Sequence, residues 1–538
     1  MRLRTSRRRA MQAALATAAT VTLPRSRTAA QQATPTAGGE ATITAAQVQS
    51  AVDRLDSLIE DGMAQTGLPG AAVAVVYNDE VIYERGFGVR ELGKPEPITP
   101  ETVFQIASLS KSISSTLVAA VVGDGTTTWD ATIDSLEPGF ALSDPWVSNQ
   151  VTIRDMLCHR SGLPSFGGDP LVFYFGYDRE ECIRRLRSYP LATPFRTTWA
   201  YSNLGFSAGA YAAASAAGES WEDLAEERLF APLGMTSTSY RFEDFGRWEN
   251  RAAPHYRTSA GVWEPGDLTD DDAAAPAGGV SSNLRDLTRW LRLQLAGGMF
   301  DGQQVVASDH VHETYQPQIV LGSPGPGASF TSFYGLGWYV SYDDRGRLVV
   351  THGGDFNSYS TQANLLPGSG LGIVVLCNGG ASAVRGAIPE AFLEMVTKGE
   401  PSRDWVSAIE TASAAYLASI LATSAPFPQG EPPADAAPPL PLDAYTGTYT
   451  NTTYGEVTVR DEAGDLVLAF GPTGVQRTLV PWTRDTFSMP LPGSDAAQIS
   501  QLGVLFTIGP EGQADAALVS LGGVGPDAAA TFTRVTGS

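Results

Sequence analysis

The pattern of apolar and polar positions predicts an early helix, a pair of strands and a second helix. Apolar residues recur at helical spacing over 48–64 and predict a helix there. Two apolar runs at 71–77 and 80–87, separated by Asn78-Asp79, predict two strands joined by a turn. A second helix is predicted to follow and to end at Gly123, because glycine favours helix termination.

The pattern then becomes helical over a long stretch before strands return. Residues 130–300 are predicted to be mostly helical, and 284–295 carries the clearest amphipathic repeat. The later strands and a closing helix are predicted at Gly337–Tyr342, Arg347–Thr351, Thr361–Leu366, Gly372–Leu376 and Val384–Val396. Because strands lie on both sides of the helical insert, we expect one sheet shared by the early and late parts of the chain.

The C-terminal part has a third pattern. Seven prolines in 424–441 indicate a stiff linker. The short strands beyond it predict a small all-β barrel and lie at Tyr445–Tyr449, Glu456–Arg460, Leu466–Phe470, Arg477–Pro481, Val504–Ile508 and Ala517–Leu521. We therefore divide the chain into an N-terminal segment 1–42, a main domain 43–400, a helix and Pro-rich linker 401–441, and a β-barrel domain 442–538.

Composition supports a folded protein and restricts its partners. Hydrophobic residues make up 43% of the 538 positions and charged residues 17%, which is typical of a folded domain. The formal net charge is −22, so nucleic acid and anionic membrane surfaces are poor partners. Cys158, Cys182 and Cys377 can form at most one disulfide, and buried free thiols are expected. We predict no metal site, since the pair His310-x-His312 is typical of a solvated segment.

The N-terminal residues resemble an export signal. Residues 1–30 contain seven arginines and no acidic residue, and the run Arg7-Arg8-Arg9 precedes a mildly apolar stretch at 10–23. This arrangement is similar to the twin-arginine type, so we expect an exported protein with residues 31–42 as a tether. The stretch is short and rich in alanine and threonine, so a stable membrane span is not expected; an uncleaved anchor is the alternative.

One lysine stands where it could activate a serine. Only three of the 36 basic residues are lysines, and Lys111 follows Ser108 by three positions. Residues at this spacing on a helix share one side. A buried lysine can lose its proton, as an arginine cannot, and can then accept the proton of a hydroxyl. Such a pair also arises by chance, so further residues are needed to support a site.

Two further segments complete a recognisable set. Tyr201-Ser202-Asn203 lies in a polar, helical context, and His352-Gly353-Gly354 ends the strand predicted from Arg347. The order Ser-x-x-Lys, Tyr-x-Asn and a basic residue before x-Gly resembles the penicillin-recognising serine hydrolases. It looks most like the class C β-lactamase-related branch, which includes esterases and D-aminopeptidases. Supporting flanks lie at Phe104–Ser108, Met156–Leu163, Ala277–Val280 and Tyr334–Trp338.

The resemblance covers about residues 45–400 and implies an α+β fold. This fold is a β-lactamase/transpeptidase-like catalytic domain, with an antiparallel sheet flanked by helices and a helical insert. The final hundred residues resemble the β-barrel module often appended to such enzymes. We therefore expect an exported serine hydrolase that cleaves ester or amide bonds without a metal or organic cofactor.

The resemblance also implies a role for each motif residue. Ser108 would attack a carbonyl carbon and form an acyl-enzyme, while Lys111 and Tyr201 would share the work of the general base. Asn203 would hydrogen-bond the substrate or Lys111. The backbone N–H groups of Ser108 and of Asp355, which follows Gly354, would form the oxyanion hole. Which of Lys111 and Tyr201 accepts the first proton stays open at this point.

His352 is a departure from part of this family. β-Lactamases and transpeptidases carry a lysine at this place, and a neutral histidine binds a substrate carboxylate poorly at pH 7. We therefore expect a small-molecule ester, a peptide or a cell-wall-derived substrate. The alternatives are a slow-turnover penicillin-binding or peptidoglycan-binding protein, a β-lactamase, or a non-catalytic scaffold. The presence of Ser108, Lys111, Tyr201 and Asn203 argues against the scaffold. The oligomeric state is left open.

A second serine motif points to a different fold and is disfavoured. Gly205-Phe206-Ser207-Ala208-Gly209 matches the nucleophile elbow of α/β-hydrolases. That elbow needs a buried strand directly before it, whereas 204–214 is predicted to be a helix rich in small residues. We therefore do not expect Ser207 to be the nucleophile.

Overall fold

The structure is a computed structural model that describes residues 43–258, 260–321, 331–356, 358–423, 427, 432–472, 474–490, 501–521 and 528–535. The predicted export signal and tether at 1–42 lie outside these residues. The described residues all belong to one unit, Ile43–Ser538. No helix among them combines the length and the hydropathy that crossing a bilayer requires.

Among the residues that the structure describes, fourteen strands precede the linker. They are β1 Gly70–Tyr77, β2 Glu80–Gly88, β3 Phe104–Gln105, β4 His255–Arg257, β5 Trp263–Pro265, β6 Ser281–Ser282, β7 Met299–Phe300, β8 Gln303–Gln304, β9 Ile319–Val320, β10 Phe333–Tyr334, β11 Tyr339–Tyr342, β12 Leu348–Phe356, β13 Tyr359–Leu366 and β14 Leu371–Cys377. Eight of them form one sheet in the order β2-β1-β14-β13-β12-β11-β10-β9, with antiparallel neighbours. The pairing of β1 with β14 confirms the predicted sheet shared by early and late segments.

The α-helices all precede the barrel. They are α1 Ala45–Val52, α2 Leu55–Thr66, α3 Ser110–Gly123, α4 Ile133–Leu136, α5 Pro145–Ser148, α6 Ile153–Leu157, α7 Asp169–Phe173, α8 Arg179–Arg185, α9 Asn203–Ala217, α10 Trp221–Ala225, α11 Ala231–Leu233, α12 Phe242–Arg247, α13 Ala275–Gly278, α14 Leu284–Leu295, α15 Ser308–Thr314, α16 Val384–Lys398 and α17 Trp405–Thr423. Eleven of these helices, α4 to α14, lie within residues 130–300, the stretch that was predicted to be mostly helical.

The main sheet is buried on both faces because side chains alternate along each strand. On β1, Val73 and Val75 belong to a core cluster that includes residues of α1, α2 and α16. Ala72 and Ala74 belong to the larger cluster, which includes residues of α3, α9 and α14. The sheet therefore separates an outer helical layer from the layer that contains α3 and α9.

The barrel has two strands more than we predicted. Its eight strands close in sequence order and are β15 Gly447–Asn451, β16 Gly455–Glu462, β17 Asp465–Phe470, β18 Gln476–Thr483, β19 Thr486–Pro490, β20 Gln501–Ile508, β21 Ala514–Ser520 and β22 Ala529–Arg534. Strands β19 and β22 were missed. Pairing of β15 with β22 closes the barrel, so β22 is specified by a distant partner rather than by its own short sequence.

Two other predicted elements need correction. The helix predicted over 48–64 is two helices, α1 and α2, which are separated at 53–54. The strand predicted at 347–351 extends to Phe356, because β12 pairs with β13 as far as Tyr359. His352 is therefore inside a strand and not at its end. The three cysteines are buried free thiols, as predicted.

Helix α3 is held from one side by the segment before β11. Ser112 Oγ donates to Gly337 O at 2.8 Å, and Ser115 Oγ donates to Leu336 O at 2.5 Å. Gly337 has φ 75°, and a Cβ atom there would lie 2.6 Å from Lys111 O. Only glycine therefore allows this segment to approach the turn of α3 that carries Lys111.

We predict that Gly337→Ala lowers the free energy of unfolding by about 2–4 kcal/mol, because it adds both left-handed backbone strain and a steric overlap. Gly368→Ala is the matched control, since a Cβ atom there meets nothing within 4 Å. The control should change the free energy of unfolding by less than about 0.5 kcal/mol. Urea unfolding of the two variants measures the difference, and equal effects would contradict the packing described here.

Candidate active site

Ser108 lies in the 3-10 turn Ala107–Leu109 that leads directly into α3. The residue before it, Ala107, has φ 49°, a left-handed conformation that costs free energy for a residue other than glycine. Neighbouring contacts hold the turn in place. Ile106 N–H donates to Val280 O at 2.9 Å, and Thr361 Oγ1 donates to Ile106 O at 2.7 Å. The turn is thus fixed between β13 and the segment before α14.

Lys111 is fully buried beside Ser108. Its Nζ atom lies 3.1 Å from Ser108 Oγ, 2.7 Å from Asn203 Oδ1 and 2.7 Å from Ala277 O. The amide and carbonyl oxygens can only accept hydrogen bonds, so they take two N–H groups of the amine. In the neutral amine the remaining lone pair is then left for the hydroxyl of Ser108.

The surroundings of Lys111 favour this neutral form. Burial lowers the pKa of Lys111 to about 7, against the opposing effect of the Asp169 and Asp271 carboxylates. The ring of Tyr201 also contacts the amine, with Nζ 4.7 Å from the ring centroid. At neutral pH a large fraction of Lys111 is therefore able to accept a proton.

Asn203 is oriented by a carboxylate that the sequence did not single out. It is the first residue of α9, and Ser202 caps this helix by accepting from Gly205 N–H at 3.0 Å. Asn203 Nδ2 donates to Asp169 Oδ2 at 2.8 Å. Because the amide nitrogen faces a carboxylate, Oδ1 must be the atom that faces Lys111. Tyr201 and Ser202 thus precede the helix and are not part of it, contrary to the predicted context.

Tyr201 is buried on the other side of the serine. Burial raises the pKa of the phenol well above 10, and the hydrogen bond with Ser108 opposes this shift. The phenol is therefore protonated at neutral pH. Of the two candidate bases, Lys111 is the one whose pKa lies near neutrality, while Tyr201 is a proton donor in this state.

His352 is buried and neutral. Its Nδ1 atom lies 2.8 Å from Gly353 O and its Nε2 atom 2.9 Å from Tyr334 Oη. A carbonyl oxygen only accepts, so Nδ1 carries the proton and Nε2 accepts from the tyrosine hydroxyl. Burial lowers the pKa of His352 to about 3, and the charge of Lys111 acts in the same direction. His352 therefore supplies no positive charge to the cleft at neutral pH.

Gly354 brings strand β12 against the nucleophile. A Cβ atom at this position would lie 2.7 Å from Ser108 N, so only glycine allows this approach. The side chain of the next residue is engaged elsewhere: Asp355 Oδ1 accepts from Ala381 N–H at 2.9 Å, and Oδ2 lies 3.5 Å from Arg385 Nη2. The structure therefore places the backbone of Gly354 next to Ser108, and the oxyanion hole that the resemblance implies from the N–H groups of Ser108 and Asp355 stays a prediction.

His159 is a further residue of the site whose role the sequence reasoning missed. Its Nδ1 atom accepts from Ser202 N–H at 3.1 Å, and its carbonyl accepts from Ala200 N–H at 2.9 Å. Its ring lies 4.5 Å from the ring of Tyr201. It therefore fixes the segment that presents Tyr201 and Asn203. The signal was present in the flank 156–163, but nothing in it indicated the contact.

The alternative nucleophile is in the middle of a helix. Ser207 lies within α9, is buried, and its Oγ donates to Ala274 O at 3.4 Å. No strand precedes α9 among residues 178–202. The elbow geometry of α/β-hydrolases is therefore absent at this position, as predicted.

Comparison with known proteins agrees with this geometry. Residues 55–393 match the protein family described as Beta-lactamase, and residues 431–535 match a domain of unknown function, DUF3471. The unguisins hydrolase of Aspergillus campestris is 27% identical over 86% of this chain and 88% of its own length. Penicillin-binding protein 4 of Amycolatopsis lactamdurans is 29% identical over 59% of this chain and 82% of its own.

A solved structure shows the same fold. The octameric penicillin-binding protein homologue from Pyrococcus abyssi superposes with a TM-score of 0.55 at 20% identity. The match covers 90% of this chain and all of the other, so it includes both the sheet-containing part and the barrel.

We predict that stability falls in acid because of the neutral histidine at 352. Its folded-state pKa of about 3 lies below the unfolded value of about 6.5, so the unfolded state binds the proton first as pH falls. This contribution is fully present above about pH 6.5 and is lost progressively below it. His352→Gln retains one donor and one acceptor but cannot titrate, so it should flatten the pH dependence by about 1 kcal/mol per pH unit near pH 5.

Denaturant unfolding at pH 7.5, 6 and 5 measures this slope. His312→Gln is the control, because His312 is exposed on α15. An identical slope in wild type and His352→Gln would show that His352 is not held neutral by burial.

Proposed function

The chain belongs to the β-lactamase family, and we propose that it is a serine hydrolase that cleaves ester or amide bonds through an acyl-enzyme on Ser108. The observation that carries the proposal is the buried amine of Lys111, hydrogen-bonded to the Ser108 hydroxyl at 3.1 Å. A hydroxyl next to a neutral amine is the arrangement that nucleophilic catalysis requires. The Aspergillus relative is itself named a hydrolase, which supports the same class of enzyme.

The proton follows a short route in the proposed reaction. Ser108 Oγ bonds to the carbonyl carbon and gives its proton to Lys111 Nζ, while the carbonyl oxygen takes the electron pair and faces the N–H groups of Ser108 and Asp355. The resulting ammonium lowers the pKa of Tyr201, which can then pass a proton to the leaving group and regain one from Lys111. The bond to the leaving group breaks as the acyl-enzyme forms. Water then attacks the carbonyl carbon of the acyl-enzyme and gives its proton to the same base. The bond to Ser108 Oγ breaks, Ser108 regains its proton, and the carboxylic acid is released.

The charge distribution supports substrates without a carboxylate at the position where β-lactams carry theirs. His352 is neutral, and Asp169 and Asp271 are close enough to Lys111 to affect its pKa. A substrate carboxylate would therefore meet negative charge and no histidine cation. The partly exposed rings of Phe173 and Phe356, whose centroids are 4.5 Å apart, offer an apolar surface instead. We propose neutral esters and peptides as substrates.

Replacing the nucleophile tests the assignment directly. Ser108→Ala should abolish turnover of p-nitrophenyl esters and covalent labelling by an active-site phosphonate, because no other group can form the acyl-enzyme. Ser207→Ala, in the other serine motif, should retain both. Turnover that persists in Ser108→Ala would contradict the proposal. A single burst followed by a long-lived adduct in the wild type would indicate slow deacylation instead of turnover.

The pH dependence should report the titration of Lys111. The amine must be deprotonated to act as a base, so kcat/KM for a neutral ester should rise with pH around a midpoint of about 7. Lys111→Arg keeps a cation that cannot lose its proton and should lower kcat/KM by at least about 100-fold. A wild-type midpoint near 10 would show that the pKa of Lys111 is not lowered and would contradict its role as the base at neutral pH.

A further inference from the structure

The barrel contacts the catalytic part through residues 174–189, and we call residues 166–177, which include the start of this interface, the wall segment. Val475 N–H, in the loop between β17 and β18, donates to Tyr174 O at 2.8 Å. Gly474 lies directly against this carbonyl, and a Cβ atom there would overlap both Tyr174 O and Phe470 O. The approach of barrel and wall segment at this point therefore depends on a glycine.

The adjoining residue of the wall segment is an aromatic anchor in the barrel. Phe175 is completely buried. Its ring centroid lies 5.3 Å from that of Phe470, 5.9 Å from that of Tyr454 and 6.3 Å from that of Phe532, all of which belong to the barrel domain. A buried phenylalanine of this kind contributes several kcal/mol to the packing between the two parts.

Polar contacts continue the same interface on either side of the anchor. Tyr177 Oη donates to Tyr454 O at 3.1 Å, and Arg185 Nη1 donates to Thr453 O at 2.9 Å. The barrel core and the core around α3 and α9 also form one continuous buried cluster. The barrel is therefore packed against the wall segment as part of the fold.

The wall segment also reaches the catalytic residues. Tyr174 and Phe175 both donate backbone hydrogen bonds to Pro170 O, at 2.9 and 3.1 Å, which ties the anchor to the start of α7. The neighbouring residue, Asp169, accepts from Asn203 Nδ2 at 2.8 Å, and Asn203 Oδ1 accepts from Lys111 Nζ at 2.7 Å. An unbroken series of short contacts thus runs from the barrel to the proposed base.

Two further contacts fix the wall segment against the cleft. A Cβ atom on Gly168 would overlap the side chain of Leu204, next to Asn203 on α9. At the other end of α7, Phe173 contacts Phe356, which follows Asp355 on β12. The position of α7 therefore determines both the hydrogen bond to Asn203 and the apolar edge of the cleft.

We propose that the C-terminal barrel is a positioning element of the catalytic centre, which holds Asp169 against Asn203 through the anchor at Phe175 and the close contact at Gly474. The inference rests on the proposed function of Ser108 and Lys111. None of the described barrel residues contacts Ser108 or Lys111 in this arrangement. It sets the geometry and charge around them through α7.

A positioning role for the barrel predicts a change in the pKa of Lys111, which a loss of stability alone would not cause. The negative charge of Asp169 raises the pKa of Lys111, so moving α7 away should lower it. The titratable groups that face Lys111 are Asp169 on α7, Asp271 before α13, His159 after α6, Tyr201 before α9 and His352 on β12. Of these, only Asp169 is on the wall segment. Releasing the segment should therefore shift the acid limb of kcat/KM to lower pH.

The test compares barrel-interface variants in the full-length protein. Gly474→Ala and Phe175→Ala should each lower kcat for a p-nitrophenyl ester by about 10- to 100-fold and shift the acid limb to lower pH by about half to one unit. Asp169→Asn removes the charge directly and should shift the limb in the same direction. Gly368→Ala is the matched control, because its backbone is not left-handed and a Cβ atom there meets nothing within 4 Å.

The outcomes separate this inference from the proposed function. Phosphonate labelling of Ser108 in the wild type tests the function by itself. The inference is overturned if the wild type is labelled and the acid limb of kcat/KM in the interface variants stays at the wild-type pH, whether or not kcat falls. The proposed function stands in that case. Circular dichroism identifies variants that do not fold, and Phe175→Leu, which keeps an apolar side chain, then replaces Phe175→Ala with a smaller shift expected in the same direction.

Discussion

Burial of a single amine is the constraint on which the site depends. Lys111 is removed from water, and its hydrogen-bond partners at Ser108, Asn203 and Ala277 are all neutral oxygens. Desolvation of this kind penalises the charged form, so burying the group leaves the amine neutral and able to accept a proton at neutral pH. The carboxylates of Asp169 and Asp271 partly offset the effect of desolvation, so the pKa of Lys111 stays near neutrality.

The surrounding fold keeps the amine of Lys111 away from water and aligned with Ser108. Glycines allow the backbone to approach from two directions, at Gly337 against the turn of α3 and at Gly354 against Ser108. His159 and the Ser202 cap fix the segment that presents Tyr201 and Asn203. These contacts come from segments that are distant in the chain, so the sheet and the helical layers on its two faces are needed to assemble so small a cluster.

The sequence predicted the parts of this arrangement that local patterns encode. Six of the eight strands of the main sheet and the small-residue helix around Ser207 follow from short-range patterns and are present in the structure, whereas the two-residue strands β9 and β10 were missed. The resemblance to the penicillin-recognising hydrolases placed Tyr201, Asn203 and His352 in one site, and the structure brings them around Lys111 or onto the adjacent strand. Their catalytic roles remain proposals that the variants above are designed to test.

What the sequence could not predict depends on tertiary packing. In the sequence, Asp169 is one of many acidic residues and Phe175 is one of 21 phenylalanines. Only the folded structure shows that Asp169 contacts Asn203 and that Phe175 packs into the barrel. Strand β22 is defined by its pairing with β15 and β21, and not by its own pattern. The neutral state of His352 similarly follows from its burial and from Tyr334, neither of which a motif can report.

The protonation state of Lys111 can be measured directly, because the chain contains only three lysines, Lys94, Lys111 and Lys398. Incorporation of lysine labelled with carbon-13 at Cε gives three NMR signals, and the signal absent from Lys111→Arg identifies the residue. The structure predicts that this signal titrates with a midpoint of about 7. A midpoint near the ordinary value of about 10.4 would show that Lys111 is a permanent cation and would contradict its role as the base.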